Sequence, residues 1–255
     1  MAEEIVVVAG LGEVGRPLMN ILSKSYDCVG IDVEELAISK PCSVLHVCYP
    51  FQIADFVGTT AAYIEKLKPR LTIINSTIAV GTTRMVQDRV TTPVAYSPVS
   101  GKHAKMEQDM LHYQKFVVGP DPQSTQLAAA HFAGAGFKVA TFPTLESGEL
   151  SKLLETTWLG MLVGWAQEIE RLAFQCGASY EDVNAFVKEI DYLPKNVFPG
   201  YIGGHCVMPN IAILRKEFAS KFLDAIVDSN DCKEKDLLVG TAAASERTTT
   251  LKTAK

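Results

Sequence analysis

The first half of the chain alternates short β-branched runs with segments whose apolar residues recur every three or four positions. EIVVVAG leads into a helical stretch through Leu18 and Leu22. CVGID, SVLHVCY and a second helical stretch from Ile53 to Leu67 follow, then LTIINST, TPVAYSP and FVVG. Runs of this kind read as strands, and strands separated by helices are joined by right-handed crossovers into a parallel sheet. The predicted fold class is α/β, a doubly wound parallel sheet.

Near Pro143 the period changes. Leu150, Leu153, Leu154, Trp158, Met161, Leu162, Trp165, Ile169 and Leu172 recur at helical spacing and predict one long helix from about Glu146 to Cys176, closed by Gly177. Ser179 can cap a shorter helix whose first turn holds Asp182. The Pro- and Gly-rich stretch from Pro194 to Pro209 reads as a loop, and Ile211 to Val227 as a final amphipathic helix. The expected organisation is a nucleotide-binding domain over 1–143, a smaller all-helical domain over 144–230 with one long helix, and a polar tail over 231–255 expected to be partly disordered.

Composition narrows the function classes. The 255 residues are 47% hydrophobic and 21% charged with a net charge of −5, which gives no electrostatic reason to expect nucleic acid. The acidic start MAEEIVVVAG does not suit a signal peptide, and the apolar stretch Trp158 to Ala166 falls far short of the roughly 20 residues of a membrane span. A cytoplasmic protein with a small-molecule substrate is expected. The six cysteines show no CxxC spacing and read mostly as buried fillers; the five histidines are scattered, so no metal site is expected.

GLGEVG (Gly10, Leu11, Gly12, Glu13, Val14, Gly15) follows a strand and opens a helix. Its glycines can make the tight turn, admit a pyrophosphate and let the helix pack closely, the fingerprint of a Rossmann-type dinucleotide site. Asp32 ends the next strand, where a carboxylate can hold both ribose hydroxyls of NAD and repel the 2′-phosphate of NADP. Two more strand ends face the same crevice: Tyr49 and Pro50, and Ser76 and Thr77. The hydroxyls of Ser76 and Thr77 reach the nicotinamide ribose or substrate, or cap the helix leading to Thr83 and Arg84.

On the long helix, Glu149, Lys152 and Thr156 share a face that continues through Gly160 and Gly164. Small residues four apart admit either another helix or a ligand, and Lys152 is either a proton-exchanging group beside the nicotinamide or a solvated surface lysine. In PGYIGGHCVMPN, Cys206 follows two glycines and His205, as a nucleophile or as a packed thiol.

Taken together, GLGEVG, NSTIAVGTTR, YSPVSGK, ESGELSKLLETTW and PGYIGGHCVMPN resemble the UDP-glucose/GDP-mannose dehydrogenase family over about residues 4 to 220. The resemblance implies a four-electron oxidation of a sugar primary alcohol to a carboxylate, reducing two NAD. It implies Cys206 as the nucleophile forming a thiohemiacetal and then a thioester, Lys152 as the group steadying the oxyanion, Thr77 near substrate and water, and a homodimer paired through the long helix.

The departures from the family pattern are specific. Val99 stands where the family has a glutamate after Ser-Pro, Thr156 where it has an asparagine, and Asn210 where it has an aspartate. With Glu149, the last two are assigned to substrate binding. His205 and His103, in SGKHAKMEQD, are the replacement acid–base candidates. Against the family pattern, the third domain, a second nucleotide-binding fold gripping the sugar nucleotide, is expected to be missing, and the expectation is that either another subunit completes the site or the substrate is not a large nucleotide sugar. The alternatives are a two-electron β-hydroxyacid-type dehydrogenase using Lys152, and a catalytically silent NAD-binding protein.

Overall fold

The computed structural model describes residues 4–32, 38, 40–101 and 103–253, with side chains described through residue 239 except His103. The chain divides into two compact units, Met1–Lys152 and Leu153–Lys255.

In the first unit, β1 (Ile5–Ala9), β2 (Cys28–Ile31), β3 (Cys42–Val47), β4 (Leu71–Ile74) and β5 (Val94–Tyr96) form a parallel sheet in the order β2-β1-β3-β4-β5. All five residues of β1 are buried, because the sheet is covered on both faces and an unbroken apolar run suits such a strand. Val6 and Val8 pack with Leu18 and Phe132 on one face, while Val7 and Ala9 pack with Phe56 and Val86 on the other. Helices α1 (Gly15–Leu22), α2 (Phe56–Leu67), α3 (Thr82–Gln87), α4 (Met106–His112) and α5 (Pro122–Gly134) lie between the strands in sequence. Strand order reverses between β1 and β3, which opens a crevice at their carboxyl ends.

FVVG is a strand of a separate parallel pair, β6 (Lys115–Val117) with β7 (Val139–Thr141), linked to β5 by an antiparallel bridge between Tyr96 and Val118. The periodicity did not reveal β7 or α5; α5 is Ala- and Gln-rich, and its marks are the Asp121 cap and Pro122 in the first turn.

The long helix α6 (Leu145–Gln175) matches the predicted one, with Gly177 at φ +72°, and α7 (Tyr180–Lys188) is capped by Ser179. The expected single helix from Ile211 to Val227 is two. They are α8 (Val207–Glu217) and α9 (Lys221–Thr253), separated where Phe218 turns extended. Pro209, read as loop, lies in the first turn of α8, where its missing N–H has no intrahelical acceptor to lose. The segment read as a tail continues α9 to Thr253, in keeping with the helix-forming residues of CKEKDLL and AAASER.

Candidate active site

The glycine turn has the geometry its sequence implies. Gly10 lies at φ +90°, and a Cβ there would meet the backbone nitrogen of Tyr49 at 2.6 Å. A Cβ on Gly15 would fall 1.8 Å from the Gly10 carbonyl oxygen, so only hydrogen lets α1 start this close to β1. A Cβ on Gly12 would meet nothing within 4 Å, leaving space on the open side of the turn. Val14 occupies the N-cap of α1 without a side-chain cap, so the first N–H groups of the helix remain for a ligand phosphate. The Leu11 N–H donates to Asp32 Oδ2 at 3.4 Å, bringing that carboxylate beside the turn. These features fit a dinucleotide.

The neighbouring strand ends are more occupied than expected. The Tyr49 hydroxyl lies 2.6 Å from Thr60 Oγ1, and burial raises its pKa. Ser76 donates to the Tyr49 carbonyl at 2.6 Å, which ties the end of β4 to the end of β3. Neither Ser76 nor Thr77 caps α3, whose N-cap is Gly81. The cap comes from Glu149. Its carboxylate accepts from the N–H of Gly81 at 2.6 Å, the N–H of Thr83 at 2.9 Å and the Thr83 hydroxyl at 2.7 Å. Fully buried, with burial raising its pKa, Glu149 anchors α3 rather than standing free for the substrate role assigned to it. Thr77 remains half-buried beyond β4.

Val99, at the position of the family glutamate, is buried in the apolar core with Met106 and Met110. His103 opens a short 3-10 turn; its side chain, and Lys102, lie outside the described residues.

A buried polar cluster at these strand ends was missed by sequence reading. Lys115 Nζ donates to the carbonyls of Ser97 and Pro98 at 2.8 and 2.9 Å and to Asn75 Oδ1 at 3.4 Å, and it lies 4.9 Å from the Phe132 ring centroid. Asn75 then presents its Nδ2 to His46 Nδ1 at 3.1 Å, and His46 Nε2 meets His131 Nε2 at 2.9 Å. Since Asn75 donates, His46 is neutral with its proton on Nε2, and it donates to His131. Burial pulls the Lys115 ammonium down to about 7, with Cys48 acting upward and the Lys152 charge downward. Burial also holds His131 at about 4 and His46 well below the ordinary histidine value. The only local signal was a lysine inside the strand run QKFVVG.

Cysteine exposure differs from the expected buried fillers. Cys42 is buried and Cys28 and Cys48 are partly so, and burial pushes Cys42 and Cys48 up to about 11 and about 12. Cys176, Cys206 and Cys232 are exposed. Cys206 occupies the N-cap of α8, where the helix end favours negative charge, and His205 beside it is exposed. Asn210 Nδ2 donates to Thr156 Oγ1 at 2.9 Å, and both side chains are buried. The two positions that depart from the family pattern in this unit thus partner each other as a neutral pair. A Cβ on Gly160 would meet Val207 and Ile211 at 2.8 and 3.2 Å, and one on Gly164 would meet Ile226 and Ser229 at 3.9 Å, so the small-residue face of α6 receives α8 and α9 rather than a second copy.

Residues 146–232 match the profile of the UDP-glucose/GDP-mannose dehydrogenase family, central domain. A UDP-N-acetyl-D-mannosamine dehydrogenase from Methanocaldococcus jannaschii is 21% identical over 253 aligned positions, which cover 79% of this chain. The match spans 59% of the length of that relative. The fold is shared with the UDP-D-ManNAc dehydrogenase of Pyrococcus horikoshii, at TM-score 0.79 and 18% identity over 94% of this chain and 71% of that one. It is also shared with the 3-hydroxyisobutyrate dehydrogenase of Mycobacterium tuberculosis, at TM-score 0.66 and 16% identity over 92% of this chain and 94% of that one.

Proposed function

We propose that this chain, whose residues 146–232 match the central domain of the UDP-glucose/GDP-mannose dehydrogenase family, is an NAD-dependent oxidoreductase acting on the alcohol carbon of a sugar or sugar-nucleotide-like substrate. The observation that carries this reading is the exposed thiol of Cys206 at the N-cap of α8, within the cysteine loop that matches the family.

Gly10, Gly12, Gly15 and the α1 N-terminus would hold the pyrophosphate of NAD, and Asp32 its adenosine ribose; the cofactor would supply a hydride acceptor for the substrate carbon. Lys152 takes up the hydroxyl proton and steadies the oxyanion, with Thr77 beside the substrate. Cys206 Sγ would add to the aldehyde carbon as a thiohemiacetal; passing a second hydride to a second NAD, exchanged for the reduced first one, would leave a thioester, and water would release the carboxylate and return the thiol. His205 and His103 are the acid–base groups for that last step, because the buried Asn210–Thr156 pair offers no carboxylate to activate water. Free thiols fit a reducing compartment such as the cytoplasm, and no helix among the described residues is long and apolar enough to cross a membrane.

A second reading, a two-electron oxidation of a β-hydroxyacid-type substrate by Lys152, draws on the neutral Asn210–Thr156 pair and on the fold shared with the 3-hydroxyisobutyrate dehydrogenase. Counting NADH per molecule oxidised, across sugar nucleotides, sugar phosphates and hydroxy acids, separates the two. The first reading expects two NADH and an adduct mass on Cys206 after quenching. One NADH and an unmodified thiol select the second.

We also propose a homodimer through α6. Leu154, Trp158, Trp165 and Leu172 form one stripe on the helix, 47% to 61% exposed, on a side not taken by Gly160 and Gly164. Trp158→Glu with Trp165→Glu is expected to halve the mass seen by sedimentation. An unchanged mass would rule this stripe out as the interface.

A further inference from the structure

The chain from Asp191 to Cys206 forms turns and irregular backbone, yet it is tethered from three helices. The Tyr180 hydroxyl of α7 donates to the Val197 carbonyl at 2.6 Å, and Gln167 Nε2 of α6 donates to the Gly200 carbonyl at 2.7 Å. Asn230 of α9 does more. Its Oδ1 accepts from the Ile202 N–H at 2.7 Å and its Nδ2 donates to the Ile202 carbonyl at 3.2 Å, so one side chain satisfies both backbone groups of one residue.

The amide orientation follows from those partners, since an N–H can be met only by the oxygen end. Asn230 is 2% exposed and Gln167 is fully buried, so these groups have no water to fall back on. Gln167 is oriented in turn. Its Nε2 also donates to Asn230 Oδ1 at 3.2 Å, and its Oε1 accepts from Ser229 Oγ at 2.9 Å. Ser229 receives Arg171 Nη2 at 2.7 Å. From Ile202 only Gly203, Gly204 and His205 lead to Cys206, and Gly204 turns at φ +85°.

We propose that Asn230 is a positioning residue for the reaction, whose amide grips both backbone groups of Ile202 and thereby sets the path of the loop that delivers Cys206 to the head of α8. The inference rests on the reading of Cys206 as the nucleophile. An apolar side chain would fill the same space without fixing the loop, whereas a side chain that both donates and accepts fixes its register as a neighbouring strand would.

The test uses the full chain with Asn230→Ala. Amide exchange over residues 201–205 is expected to rise about ten-fold or more, with exchange in α6 and α7 unchanged. The pH profile of Cys206 alkylation by iodoacetamide is expected to move to higher pH as the thiol loses its place at the helix end, while Cys176 and Cys232, both exposed, keep theirs as internal controls. Asn230→Asp keeps the shape and the acceptor but loses the donor; it is expected to raise exchange in the same segment about three-fold, and it stands in if the alanine variant does not fold. Wild-type exchange over 201–205 together with an unmoved Cys206 profile would overturn the proposal. A loosened loop in a protein whose wild type yields one NADH and no Cys206 adduct would leave the clamp standing and remove the covalent reading alone.

Discussion

As the pH falls, the unit formed by Met1–Lys152 is expected to lose stability in two steps, between pH 10.5 and about 7 and then between pH 6.5 and about 4. The upper step belongs to Lys115. Burial lowers it from 10.5 to about 7 in the folded chain, so between those values the unfolded chain holds a proton that the native one does not. Acidification through that window therefore favours unfolding, by on the order of 5 kcal/mol, and below it the term is constant. The lower step belongs to the histidine pair. His131 falls from 6.5 to about 4, also by burial, and His46 moves in the same direction through burial and the neighbouring His131 and Lys115. The His131 term alone amounts to about 3 kcal/mol, present above pH 6.5 and lost as the pH falls through about 4. Denaturant midpoints measured across the range check both steps. Lys115→Met should flatten the upper slope and His131→Leu the lower one, whatever either does to absolute stability; slopes that survive in these variants would assign the pH dependence elsewhere.

Removing the Glu149 carboxylate is expected to destabilise the same unit by about 3 kcal/mol in Glu149→Ala, measured by chemical denaturation. Three donors lose their acceptor at once, and the N–H groups of Gly81 and Thr83 at the head of α3 are left with no replacement, since Thr83 is itself buried. Glu149→Gln keeps one acceptor but turns an N–H₂ toward donors, and about half the loss is expected. A substrate-binding carboxylate would behave differently, raising KM with stability unmoved. A loss under about 1 kcal/mol in Glu149→Ala would reject the capping role.

The parts of this molecule that were legible in sequence are those governed by near neighbours. Gly10, Gly12 and Gly15 were readable because the turn needs missing Cβ atoms at fixed offsets, and the contacts a Cβ would make at Gly10 and Gly15 bear that out. The α6 boundary was readable because Gly177 and the apolar period are local marks. Lys115, His46 and His131 were not readable, because the two histidines that share a hydrogen bond lie 85 positions apart, and nothing near either marks the other. Glu149 was misread for a related reason. Helical spacing put it on a face with Lys152, while the donors that claim it come from 66 and 68 positions away.

What the sequence determined by itself was the strands and helices of strong period, from β1 through β5 and α6, the glycine turn and the thiol-bearing loop, because side-chain periodicity and missing Cβ atoms act over a few residues. Only the tertiary structure decided which polar groups are satisfied and therefore withdrawn from chemistry. Glu149 is sealed onto α3 and Asn210 onto Thr156, while Cys206 is left exposed at a helix end. That division follows from desolvation: a buried donor or acceptor must find its partner wherever the fold brings one, and the partner's position in the chain is set by packing rather than by pattern.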